Sequence, residues 1–186
     1  MGRDGEGAPV TGAGERPSSA AEVRDRNAAL DRNLRDLAAQ ISAEALTRDP
    51  GDNEWTLAQL LAHLGEFTHF FAQDLSGWLD AGAGRDELPV GRTHEHPVRL
   101  AAVSDPPAQL DQLLAGVDAS FQELTAVLSR LEDDHLNASM NNRKYGTEPL
   151  TDYVDRYILG HKAGHEAQLR WTLDRVSSTG GQGTSG

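Results

Sequence analysis

Apolar side chains recur along this chain in four long stripes with the spacing of an α-helix. The first comprises Val23, Leu30, Leu34, Leu37, Ile41 and Leu46, the buried face of a helix over Ala20–Leu46. Ser19, with Glu22 three residues later, forms a capping box at its start, and Asp49-Pro-Gly-Asp breaks it. A second helix starts at the cap Thr56, with Gln59 at its third position and Trp55 placed to staple against Leu60. Its stripe runs through Leu57, Leu61, Leu64, Phe67, Phe71, Leu75 and Trp78 and ends at Asp80-Ala-Gly-Ala-Gly. A third stripe extends from Leu110 to Leu131, with Asp105-Pro106 read as a cap followed by proline at the first helical position. The fourth begins near Pro149 and reaches Val176, with Leu150, Val154, Tyr157, Ile158, Leu169 and Trp171 as apolar positions.

Four such helices and no convincing strand predict an all-α four-helix bundle. Between the second and third helices, Ala81–Ser104 is a long connection of the kind that usually has a function. Asn137 to Gly146 reads as a loop. The ends, residues 1–18 and 177–186, are rich in Gly, Pro, Ser and Thr and cannot bury enough surface to offset their ordering entropy. They are expected to be mobile tails on a single domain spanning 19–176.

Composition narrows the partners. The chain has 186 residues and a formal net charge of −12, so its long-range field repels nucleic acid and anionic lipid surfaces. No apolar run approaches the roughly 20 residues of a membrane helix, and no export leader is apparent. The expected setting is the cytoplasm, with a small-molecule substrate. The excess of Arg, Ala, Gly and Leu suggests a GC-rich bacterial genome. There is no cysteine, hence no disulfide, no thiolate zinc site and no cysteine nucleophile. Any metal must be held by histidines and carboxylates.

The candidate chemistry is carried by His161-Lys-Ala-Gly-His165. Histidines four apart share one helix face, a spacing that lets both imidazoles reach one ion. On the helical wheel they fall beside Val154 and Ile158, and so point inward. His63 lies in the apolar arc of the second helix with Leu60, Phe67 and Phe70. A buried imidazole needs a partner for each nitrogen, since an unsatisfied buried polar group costs about 1–3 kcal/mol. Three histidines from two helices sharing one metal, with an open position for water or substrate, would meet that need. Spacing and periodicity leave a second reading open, in which His63 is hydrogen-bonded in the core and the pair is partly solvated.

Trp55-Thr-Leu-Ala-Gln-Leu-Leu-Ala-His63-Leu, the four-helix pattern, and Leu159-Gly-His161-Lys-Ala-Gly-His165-Glu-Ala-Gln168-Leu together resemble the DinB-like superfamily of metal-binding bundles. The resemblance covers nearly all of the chain between the tails. It implies that His63, His161 and His165 are the metal ligands. It also implies an up-down-down-up bundle whose long second connection crosses the molecule, and it makes a homodimer plausible. Relatives include S-transferases that join mycothiol or bacillithiol to electrophiles, and a mycothiol-dependent maleylpyruvate isomerase. A metal-activated thiol needs no cysteine from the protein.

The expected function is therefore a metal-dependent thiol S-transferase acting on a small electrophile, with mycothiol as cosubstrate. Zinc suits three imidazoles best, and nickel or iron are also accepted. The alternatives are a metal-dependent hydrolase or isomerase, and a non-catalytic protein that sequesters a small molecule. Around the triad, Gln168 and Glu66 sit one turn after His165 and His63 and either orient those rings or face solvent. Arg143, Lys144 and Tyr145 either meet an anionic substrate or form a solvated loop. His94-Glu-His96 reads as a solvated charge run, and His69 and His135 lie off the apolar faces. Gly160 and Gly164 are costly inside a helix; they allow close backbone approach, leave room beside the metal or simply loosen the helix.

Overall fold

The computed structural model describes residues 15–82, 90–93 and 95–179. Residues 1–14 and 180–186, which make up most of the expected tails, lie outside the described residues, as do 83–89 and His94. Four long helices dominate. They are α1 (Ala20–Ala38), α2 (Leu57–Ala81), α4 (Leu110–Leu128) and a last helical run made of α6 (Leu150–Tyr153), a π turn (Val154–Gly160) and α7 (His161–Thr179). Short helices α3 (Pro97–Ser104) and α5 (Asp133–Leu136) and a hairpin of β1 (Ser139–Asn142) and β2 (Gly146–Pro149) complete it. No helix among the described residues is long and apolar enough to cross a membrane.

Cross-helix pairs establish the topology. Moving along α2, Gly65, His69 and Asp80 meet Gly116, Glu123 and Arg130 in ascending order, so α2 and α4 are parallel. Arg24 and Arg35 of α1 meet Leu131 and Asp118 in descending order, so α1 opposes α4. His63 and Phe71 meet His165 and Tyr157, so α7 opposes α2. Arg26 and Asn33 meet Asp155 and Glu166, so the last helix runs along α1. The bundle is up-down-down-up, and two parallel consecutive helices require the crossover between them. Trp78, Phe67, Phe121 and Tyr153, each at most 1% exposed, fill the space within.

Several element boundaries differ from the sequence expectation, each for a local reason. The first helix stops at Ala38, where Gln40 and Ile41 bond back three residues; Ile41 and Leu46 remain buried in the turns beyond it. Asp105 does not start the third long helix but follows the end of α3. Asp105 and Pro106 each precede a proline and are thereby held out of the α region, so α4 begins only at Leu110. The proline at the first helical position belongs instead to α3, at Pro97 within the crossover. The stretch after Asn137 is a hairpin rather than a loop. Asn142 Oδ1 accepts from the backbone N–H groups of Lys144 and Tyr145 (2.9 and 3.3 Å), and Gly146 takes a left-handed φ of 74° to close the turn. Val90, from the crossover, pairs with Asn142 and ties the crossover to this hairpin. The last helix extends to Thr179. At the other end Pro17 is buried and its carbonyl accepts from Thr151 Oγ1 (3.3 Å).

Candidate metal centre

His63 enters the core because α2 is firmly started. Thr56 and Gln59 form the reciprocal capping box, with the Thr56 N–H donating to Gln59 Oε1 at 2.9 Å. Two turns on, His63 is 2% exposed, with the Trp55 ring edge-on at 5.1 Å. His161 and His165 open α7 on the face toward α2 and are half-buried. The three imidazoles converge. Ring centroids are 5.5 Å apart for His63–His161 and 4.8 Å for both His63–His165 and His161–His165. One nitrogen from each ring can be chosen so that all three lie within 4.8 Å of one another.

The donor set suits a divalent ion. A ligand imidazole must be neutral, and the site enforces this. Burial is the main cause, and it holds the His165 pKa down to about 4, aided by the Arg99 guanidinium and opposed by the hydrogen bond that His165 donates to Gln168. His161 is held well below the ordinary histidine value by burial, by its two partner histidines, and by Arg92 and Arg99. Gln168 Oε1, which can only accept, takes the Nδ1–H of His165 at 3.1 Å. That bond leaves Nε2 as the free donor of the ring, the usual way a ligand histidine is oriented.

On the other side, Glu66 Oε2 lies 3.7 Å from His63 Nδ1. Both Glu66 oxygens are gripped by Arg92, one at 2.6 Å, and Arg92 itself is buried with its guanidinium 4.2 Å above the Phe70 ring. Both Gln168 and Glu66 therefore face the triad. Arg92 and Arg99 carry no signal in the sequence because they sit in the crossover, where no periodicity marks a buried face. Arg99 lies over Trp55 at 5.4 Å, so the crossover delivers two cations to the rim of the centre.

The hairpin residues are placed differently. Lys144 and Tyr145 are exposed at the hairpin turn, with Arg156 stacked 4.0 Å above the Tyr145 ring. Arg143 joins Arg92, His96 and Asp74 around an open pocket of about 650 Å³ beside the centre. A second pocket of about 620 Å³ runs between α1 and the last helix, with Arg26, Arg156, Gly160 and His161 on its walls. His69, mostly exposed, bonds Glu123 at 2.6 Å, and His135 accepts from the Glu132 N–H at 3.1 Å in the first turn of α5.

Comparison with known proteins agrees with the fold. No curated protein sequence matches the chain. Among solved structures, YfiT from Bacillus subtilis superposes with a TM-score of 0.61 at 14% identity, covering 85% of this chain and 87% of that one. YfiT is described as a probable metal-dependent hydrolase with an unusual four-helix bundle topology. The model of the DinB superfamily matches residues 9–169, which take in the first three long helices, the last as far as Leu169 and the three converging histidines, and the chain accordingly belongs to that superfamily.

Proposed function

We propose that this protein is a metal-dependent enzyme in which His63, His161 and His165 hold one divalent ion, zinc in the first instance, and that it joins a small thiol of the mycothiol type to an electrophile. The observation that carries the reading is the convergence of three imidazoles within 4.8 Å, two of them held uncharged by burial, on an otherwise aromatic wall. When bound, a divalent ion supplies the Lewis acidity that makes a thiol a competent nucleophile at neutral pH. The chain's own residues do the rest. Gln168 holds the His165 ring in orientation, and Glu66 stands 3.7 Å from His63 Nδ1. Phe67, stacked on His161, keeps water from one face of the centre. Arg92 and Arg99 add positive potential that favours an anionic thiolate over the neutral thiol. The chain has no cysteine, so the thiol has to be a cosubstrate.

Hydrolysis is the second reading, favoured by the likeness to YfiT; there water takes the place of the thiol. Against it, Glu66, the carboxylate beside His63, is engaged at both oxygens by Arg92 and is poorly placed to act as a general base. Elemental analysis of the purified protein, then a screen of electrophiles with and without mycothiol or an analogue, tests both. About one equivalent of metal, lost in His161→Ala, with product only when thiol is present, is the expected result. Product without thiol establishes the hydrolase reading, and absence of bound metal overturns both.

A further inference from the structure

The helix that carries His161 and His165 is not α-helical throughout. Val154–Gly160 winds as a π turn, a geometry that takes up about one extra residue and rotates the residues beyond it by roughly 100° relative to an unbroken helix. This phase keeps Tyr153, Tyr157 and His161 all against Phe71, at 6.0, 4.8 and 6.2 Å. A π turn can be lost by relaxing to α, and relaxation would swing the ligand pair away from α2. Something immediately beyond it has to select one rotation.

Lys162 is the next residue after His161 and points toward α1 instead. It is fully buried. Its Nζ pairs with Asp31 and donates to Asn27 Oδ1 at 2.7 Å, while Asn27 Nδ2 donates to Asp31 Oδ2 at 3.1 Å. The ammonium also lies 4.3 Å from the centroid of Phe121 on α4. Burial opposes charge at both ends of this pair, lowering Lys162 to about 8 and raising Asp31. Apolar residues of similar size would serve stability at least as well. What they would lack is direction: a greasy side chain packs acceptably at several rotations, whereas a buried ammonium is satisfied at only one. Fixing a register is the best-attested use of buried polar groups.

We propose that Lys162, Asp31 and Asn27 form a register lock that fixes the rotation of α7 just past the π turn and so aims His161 into the metal centre. Lys162 is thus a positioning residue, and its effect on metal binding rests on the reading of the centre given above. The lock predicts that stability and metal affinity separate. In the triple variant Asn27→Ala/Asp31→Leu/Lys162→Met, the protein stays folded with a melting temperature near that of the parent. Cobalt(II) binding weakens at least tenfold with a changed visible spectrum, and the His161 ring protons lose the upfield NMR shift imposed by the stacked Phe67 ring. In Asp31→Asn, which keeps the acceptor for Lys162, the protein melts earlier but holds cobalt within about twofold of the parent and keeps the ring shift. A folded triple variant with parental cobalt affinity and ring shift overturns the lock, as does a folded Asp31→Asn that has lost both. The ring shift is read without metal, so a parent that takes up no cobalt refutes the metal centre and still leaves the lock decided.

Discussion

His161 and Phe67 lie face to face, their planes 6° apart and their centroids separated by 4.1 Å. The phenyl ring restricts the imidazole to one plane and removes one of its faces from water. The low basicity of His161 therefore has the same physical origin as its orientation: burial is its first cause, ahead of the neighbouring charges. His165 follows the same logic less closely, 5.3 Å from the Phe67 centroid. An aromatic surface that aligns two imidazoles and keeps them neutral leaves their lone pairs able to accept a cation.

This arrangement makes the metal-free protein acid-labile in a definite window. In the unfolded chain both histidines gain protons near their ordinary value of 6.5, whereas in the folded state His165 resists until about 4 and His161 is likewise held well below that ordinary value. The unfolded state thus binds more protons between those limits, and stability falls as pH falls through them. Chelator-treated protein should show denaturation midpoints that decline steadily from about pH 6.5 to about 4. His165→Gln should flatten part of that slope. A midpoint independent of pH over this range would contradict the assignment.

Gln168 affects the metal more than the fold. Its side chain is half-buried and its bond to the triad is the acceptance from His165 Nδ1. Replacing a group that orients a ligand ring typically costs about 10–100-fold in metal affinity. Gln168→Leu should therefore bind zinc or cobalt about 10–100-fold more weakly, in competition with a chromophoric chelator, while its thermal midpoint without metal moves little.

What is legible in the sequence is local. The Thr56/Gln59 box, the helical stripes and the four-residue spacing of His161 and His165 all depend on neighbours along the chain, and all appear in the structure. His63 is recognisable because an imidazole in an apolar arc is out of place there. The π turn leaves no such mark, because a uniform wheel already puts Val154, Ile158, His161 and His165 on one face and nothing in the residue pattern calls for a wider turn between them. Lys162 is hidden for a related reason: a lysine in a polar-looking helix reads as solvated until Asp31 and Asn27 are brought against it from a distant part of the chain. Arg92 is invisible for want of any periodicity in the crossover.

Arg92 and Glu66 should behave as a buried pair. Their side chains are 5% and 11% exposed, so removing one leaves the other charged and without compensation, which costs about 3–5 kcal/mol. Arg92→Met is expected to lower stability by an amount of that order. Arg92→Met with Glu66→Gln should recover much of it, because the stranded carboxylate is gone. A double-mutant cycle by urea denaturation gives the coupling directly, and additive losses would mean that the two side chains act independently.

Gly160 should show a reversed helix-propensity rule. In an ordinary helix interior, glycine to alanine gains about 1 kcal/mol. At Gly116, in α4, an added Cβ meets nothing within 4 Å, so Gly116→Ala should gain stability of that order. At Gly160, on the last turn of the π segment, the same Cβ would lie 2.8 Å from the Asp155 carbonyl oxygen, a backbone atom that can move only if the turn does. Overpacking of this kind costs about 1–3 kcal/mol, so Gly160→Ala should be net destabilising by up to about 2 kcal/mol once the propensity gain is subtracted. Because the strain falls on the turn that aims His161, cobalt affinity should drop with it, while Gly116→Ala leaves it unchanged. Thermal unfolding and cobalt titration of the two variants side by side make the comparison, and a Gly160→Ala protein as stable as the parent would show that the widened turn does not depend on the missing side chain.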